Sequence, residues 1–225
     1  MKKIIFLMLI IPAAFAQGIS GAWRAEEKDL NFLLIATENY FTLTTYKTIE
    51  FLETWGGKYE LSQTGEFLTD IEFHSSKPSL VNSVQTYNIL HKKKSLELND
   101  VKFEKVSEKD NALTGLWKIT ARANPEGEMN PMQAGPRKTL KIMGGGCFQW
   151  FAINTSTREF SGTGGGTYIL KDKKYIEKIE FFSRDNARVG AELSFDADIA
   201  DGKWQHSGKS SKGDPVREIW TKISF

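Results

Sequence analysis

The chain has 225 residues but one cysteine, six prolines and three histidines, and no long apolar run beyond its first sixteen residues. Each shortage excludes something. Cys147 stands alone, so no internal disulfide can staple the fold. With no motif around it, it reads as a small buried hydrophobe rather than a nucleophile. A membrane-spanning helix needs about 20 apolar residues, so the chain is not expected to be an integral membrane protein. His74, His91 and His206 are scattered singly, without the H-x-H, H-E-x-x-H or Cys/His spacings that hold metals. No G-x-S-x-G is present and no acid–base pair can be assembled from spacing, so neither an enzyme nor a cofactor is expected. Charge of one sign is also missing: there are 30 basic against 28 acidic residues, and Lys2 and Lys3 supply the excess. A nucleic-acid binder would carry a basic surplus.

Residues 1–16 have a role of their own. Lys2 and Lys3 precede the apolar run Ile4–Ile11, Pro12 breaks it, and Ala14-Phe15-Ala16 has the small-x-small pattern of a signal-peptide cleavage site. The run is too short to span a bilayer. The mature chain is therefore expected to begin at Gln17 and to be exported to the periplasm or the medium. No cysteine follows the cleavage site, so no lipid anchor is expected there.

Six tryptophans and fifteen phenylalanines are available for a core, and they recur in a repeat. Residues 162–182, GTGGGTYILKDKKYIEKIEFF, have an earlier echo in residues 55–73, WGGKYELSQTGEFLTDIEF. Gly56-Gly57-Lys58-Tyr59 aligns with Gly165-Gly166-Thr167-Tyr168, and Ile71-Glu72-Phe73 with Ile179-Glu180-Phe181. Gly21-Ala22-Trp23 opens the first copy and Gly115-Leu116-Trp117 the second. The second copy has gained two insertions. One is the Pro/Gly-rich stretch 123–138, expected to be a loop, and the other is a smaller one within 202–214. Each copy divides into eight short period-two segments, among them 54–62 and 164–171, separated by Gly, Asn, Asp and Lys turns. Such spacing predicts an all-β protein, and an up-and-down barrel suits it because closure removes exposed edges. Two tandem antiparallel barrels are expected: 17–106 as a degenerate copy, a linker at 107–112, and 113–225.

The Gly-x-Trp opening of an eight-strand chain resembles that of the lipocalins and other calycins. The second copy is also similar to lipocalin-like domains of uncharacterised secreted bacterial proteins, often labelled "membrane or secreted protein". The shared pattern is G-x-W-K, then Phe148-Gln149-Trp150, G-G-G-T-Y, Y-x-E-x-I-E, the late Trp204 and E-x-W; it covers 113–223. Residues 18–106 keep only Gly-x-Trp and Gly-Gly-x-Tyr. The resemblance implies that Trp23 and Trp117 plug the closed ends of the barrels. It also implies that a basic residue on each last strand packs over the plug: Lys105 in the first copy, Lys222 or Arg217 in the second.

Alternation places Tyr175, Glu177, Ile179 and Phe181 on one face, expected to point inward. A carboxylate inside a barrel needs a partner, so Glu177 is either a structural hydrogen-bonding group or ligand-facing. Trp204 and His206 share a face. Together with Trp150, Tyr168, Tyr175 and Phe195, these residues form the candidate ligand-binding set in the second barrel, and the 123–138 loop is expected to border its mouth. Gly164–Gly166 precedes no helix and is read as a bend or bulge rather than a phosphate loop. The expected function is binding of a small apolar or aromatic molecule in the second barrel. The alternative is a non-enzymatic structural or interaction protein of the cell envelope with both barrels filled.

Overall fold

The computed structural model describes residues 18–107 and 109–224; the expected signal peptide lies outside them. Eight antiparallel strands come first: β1 (Gly21–Glu27), β2 (Leu30–Ala36), β3 (Tyr40–Tyr46), β4 (Phe51–Leu61), β5 (Glu66–His74), β6 (Val84–His91), β7 (Ser95–Leu98) and β8 (Val101–Lys105). Each pairs with the next, and β8 returns to β1 through Trp23↔Lys105 and Arg24↔Glu104, which closes the barrel. The second barrel is built from β9 (Gly115–Ala123), β10 (Met129–Pro131), β11 (Arg137–Gly144), β12 (Cys147–Asn154), β13 (Glu159–Lys171), β14 (Lys174–Phe182), β15 (Glu192–Ala200), β16 (Lys203–Lys209) and β17 (Pro215–Ile223). It closes between β17 and β9, and β10 pairs with the end of β9 beyond the stretch that pairs with β11. Two-residue turns with positive φ at both positions, such as Asn99–Asp100, Gly145–Gly146 and Asp172–Lys173, match the twist of the strands they join.

Most expected segments coincide with strands, and the differences are local. β4 starts at Phe51 and β13 at Glu159, earlier than the alternation suggested. The stretch 123–138 is not all loop, because it holds β10. The face assignment on β14 needs a larger correction. A bulge sets Gly165 opposite Phe181 and Gly166 opposite Ile179, and leaves Glu180 unpaired. A Cβ on Gly166 would sit 2.1 Å from the Lys178 carbonyl oxygen, so only glycine admits this approach. Alternation changes phase at the bulge. Tyr175, Glu177 and Ile179 face the interior as expected, but Phe181 turns out of the barrel and Phe182 turns in. The first barrel has the same bulge at Gly56/Gly57.

Phe181 points out because the outside of the barrel is also buried. The described residues form three apolar clusters: one inside each barrel and a third between them. The third joins Leu33, Ile35 and Phe73 of the first barrel to Ile142, Phe151 and Phe181 of the second. Much of β11 and β12 is therefore buried on both faces, while β14 joins the interface only at Phe181, past the bulge, and Cys147 lies in this interface as the expected buried hydrophobe. A satisfied polar network fixes the register of the interface. Thr44 Oγ1 donates to Gln149 Oε1 at 3.0 Å, and Gln149 Nε2 donates to Thr54 and Thr163 at 2.9 and 3.0 Å. At its edge Glu180 accepts from Arg24 and Tyr46 at 2.8 and 2.9 Å.

The plugs are alike. Trp23 Nε1 donates to Ile19 O and Trp117 Nε1 to Leu113 O, both at 2.7 Å. Lys105 Nζ lies 5.1 Å from the Trp23 ring and Lys222 Nζ 5.6 Å from Trp117. Of the two candidates on β17, Lys222 takes this place, while Arg217 is exposed and pairs across from Ser207. The Gly of Gly-x-Trp is required because Gly115 has φ +131° and a Cβ there would meet Lys222 Cε at 2.6 Å.

Candidate functional site in the second barrel

A cavity of about 680 Å³ opens at the end of the second barrel away from Trp117. Four of the charged or titratable side chains that line it are buried, one from each of four strands: Lys141 (β11), Glu177 (β14), His206 (β16) and Glu218 (β17). Their exposures are 4–8%. The Lys141 amine lies 5.0 Å from the ring centroids of Tyr175 and Trp204, 5.1 Å from Trp220 and 5.6 Å from Phe148. Such ring faces attract a cation through their negative quadrupoles. The nearest carboxylate oxygen, Glu177 Oε2, is 3.8 Å away, and Lys141 donates no hydrogen bond to any described residue.

The carboxylates, by contrast, each accept: Glu177 on one oxygen and Glu218 on both. Tyr175 OH donates to Glu177 Oε2 at 2.7 Å, and burial, with Glu177 adding to it, raises the pKa of that hydroxyl and keeps it a donor. Arg122 donates to Glu218 Oε1 through Nε and Nη2 at 3.1 and 2.7 Å, and Trp220 Nε1 donates to Oε2 at 2.9 Å. Burial alone would raise the Glu218 pKa, but His206, Arg122 and Lys141 around it hold it down at about 2. Burial, with the Lys141 charge, lowers the pKa of His206 against the opposing pull of Glu218 and Glu177. The imidazole Nδ1 is 3.3 Å from Glu218 Oε2 but off the line of a hydrogen bond, so the contact is electrostatic and neither ring nitrogen has a hydrogen-bond partner.

Of the residues expected to contact a ligand, Trp150, Glu177, Phe195 and His206 line the cavity. Tyr175 and Trp204 are fully buried one layer below, in the floor around Lys141. Tyr168 lies deeper, its hydroxyl on Asn111 Oδ1 at 3.2 Å and its ring 5.6 Å from Tyr175, so it does not reach the cavity. Nor does the stretch 123–138 border this mouth. Its residues from Pro131 to Lys138 instead line a second groove, which shares Thr139, Ala152 and Arg184 with the cavity. The sequence reading missed Lys141, Glu218 and Arg122. Glu218 had a signal, since it shares a strand face with Trp220. Lys141 had none, because it alternates with Leu140 and Ile142, which are equally buried against the other barrel.

Strand register relates the two barrels residue by residue. Trp23 pairs with Leu34 and Trp117 with Lys141; Tyr59 pairs with Thr69 and Tyr168 with Glu177. The innermost pair of the last hairpin is Leu98↔Val101 in the first barrel, and its counterpart is His206↔Glu218. Lys141, Glu177, His206 and Glu218 thus stand where the first barrel has Leu34, Thr69, Leu98 and Val101. The smaller insertion extends the β16–β17 hairpin beyond His206 and Glu218, and its Ser210, Ser211, Lys212 and Val216 wall the cavity. Trp55, which packs on Phe41 and Tyr87 in the first barrel, is replaced by Gly164. Among the described residues, no group of three or more His, Cys, Asp or Glu is placed to hold a metal ion. No helix among them is long and apolar enough to cross a membrane.

The fold and the site define an all-β protein of two closed antiparallel barrels, one filled with apolar side chains and one carrying a polar cavity. The chain belongs to the family described as a domain of unknown function, DUF4488, whose model matches residues 112–225. Similar solved structures include a lipocalin-like protein from Bacteroides uniformis, 14% identical, covering 50% of this chain and 100% of that one with a TM-score of 0.37. An uncharacterized protein from Bacteroides eggerthii is 16% identical and covers 49% of this chain and 98% of that one with a TM-score of 0.35. No curated protein matches the chain.

Proposed function

We propose that this is an exported binding protein whose second barrel takes up a small molecule through the mouth between β11 and β17. The observation that carries the reading is the substitution pattern: at positions where the first barrel closes its interior with Leu34, Leu98 and Val101, the second places Lys141, His206 and Glu218 around a cavity. Buried charges are costly and contribute little net stability even when paired, so a barrel that can be built without them keeps them for something else. The cavity volume falls within the range typical of small-molecule sites, about 300–1,000 Å³. Trp150, Phe182 and Phe195 offer apolar and aromatic surface for the body of the ligand. Native mass spectrometry of protein purified from the cells that make it tests this reading. A stoichiometric small-molecule adduct is expected, released on denaturation; bare protein in every charge state would favour the envelope-structural alternative. N-terminal sequencing tests export, with Gln17 expected as the first residue of the mature chain.

A further inference from the structure

The hydrogen-bonding inventory of the cavity is lopsided. Its two buried carboxylates already accept: Glu177 from Tyr175, and Glu218 from Arg122 and Trp220. Its buried donors are unspent. The three N–H groups of Lys141 make no hydrogen bond to any described residue, the Glu177 carboxylate being 3.8 Å away, and His206 has both ring nitrogens free of hydrogen bonds. An acceptor is what the site lacks. The rim is biased the same way, since Arg184, Arg188 and Lys212 face one acid, Asp185. With Lys141 against Glu177 and Glu218 deeper in, and the exposed Arg122 beside Glu218, the lining holds five cations and three carboxylates. The expected mature chain, by contrast, balances once Lys2 and Lys3 are removed.

We infer that the ligand of the second barrel is a small organic anion whose acidic group is received by Lys141 and His206 while its apolar or aromatic body lies against Trp150, Phe182 and Phe195. The inference rests on the reading of this barrel as a binding module and names the chemical class it takes. A cation is disfavoured because it would meet the buried Lys141 charge and a surplus of basic groups around the cavity. A wholly apolar ligand is disfavoured because it would seal Lys141 and His206 from water with their donors unmet, at the usual cost of buried unpaired groups. The first barrel gives the control, since Leu34 and Leu98 stand at the positions of Lys141 and His206 and offer an anion nothing.

Three probes of one shape test the inference: 1-naphthaleneacetate, its neutral primary amide and the cationic 1-naphthylmethylamine, titrated into the mature chain by calorimetry. The acetate is expected to bind about tenfold or more tighter than the amide, the ratio a charge-assisted hydrogen bond supplies. The Lys141→Met variant is expected to lower acetate affinity at least tenfold and amide affinity by much less, bringing the two close together. Equal binding of acetate and amide by the parent, or tightest binding of the amine, overturns the anion assignment while leaving a binding barrel. Absence of binding by all three at millimolar concentration counts against both. The ratio in the parent needs no variant, so it decides the point even where Lys141→Met does not fold.

Discussion

Trp23 and Trp117 anchor their barrels with the same 2.7 Å hydrogen bond, four residues back along the chain, and each lies under a lysine from the last strand. Toward the mouths the two barrels diverge. One register position holds Leu34 or Lys141, another Thr69 or Glu177, a third Leu98 or His206, a fourth Val101 or Glu218. The closed end thus carries what this barrel needs in order to close, and the open end carries what one barrel adds. The polar residues of the second barrel are not a requirement of the fold, because the same chain builds the fold without them.

The largest effect is expected from separating the barrels. Residues 113–225 alone should keep a β-rich circular dichroism spectrum, because their interior cluster is their own. They should also self-associate, since Ile142, Phe151 and Phe181 lose their cover. A monodisperse monomer in sedimentation would show that the outer faces do not need each other. Next in size are Trp23→Ala and Trp117→Ala, each expected to cost about 3–5 kcal/mol in denaturant unfolding. Changes within about half a kcal/mol for either would break the equivalence of the two plugs.

The sequence held that equivalence openly. Gly-x-Trp, the paired Gly-Gly-x-Tyr and the alternating segments name both barrels and most of their strands, because an antiparallel strand with one wet face prints its pattern at period two. Legibility failed where both faces are dry or where the period slips. On β11, Lys141 lies between Leu140 and Ile142, and nothing in a single strand says which neighbour is core and which is interface. On β14, the bulge at Gly165/Gly166 reversed Phe181 and Phe182, although the glycines themselves had been read as a bend. The two barrels burying a face against each other was invisible for the same reason, since an outward apolar residue looks like an inward one.

Acid should separate the barrels more gently. Glu218 has its carboxyl held at about 2, below the ordinary 4.5, so it contributes stability at neutral pH that is lost as pH falls from about 4.5 toward 2. The loss is on the order of 3 kcal/mol. His206, its pKa lowered from 6.5 by burial, acts in the same direction: the unfolded chain takes up the proton more readily, so stability begins to fall below about pH 6.5. Glu218→Gln should flatten the lower part of the profile and His206→Leu the upper. A melting temperature indifferent to pH between 7 and 3 in the parent, read by tryptophan fluorescence, would contradict this electrostatic account. The smallest stability change is expected from giving the second barrel the residues of the first. Lys141→Leu alone strands Glu177 and should cost about 1–3 kcal/mol. Adding Glu177→Thr removes the pair, and the double variant should return to parental stability or exceed it by about 1–4 kcal/mol. A double variant less stable than the single would make the pair a structural anchor.

The central claim, that one barrel is filled and the other receives a ligand, is tested most directly by the crystal structure of the mature protein purified with its co-purified molecule. The account predicts electron density for one small molecule per chain in the second barrel, between Lys141 and Trp150, and only side chains among Leu34, Leu98 and Val101 of the first. A molecule seated in the first barrel, or Trp150 and the β16–β17 hairpin folded down to fill the second, would contradict it.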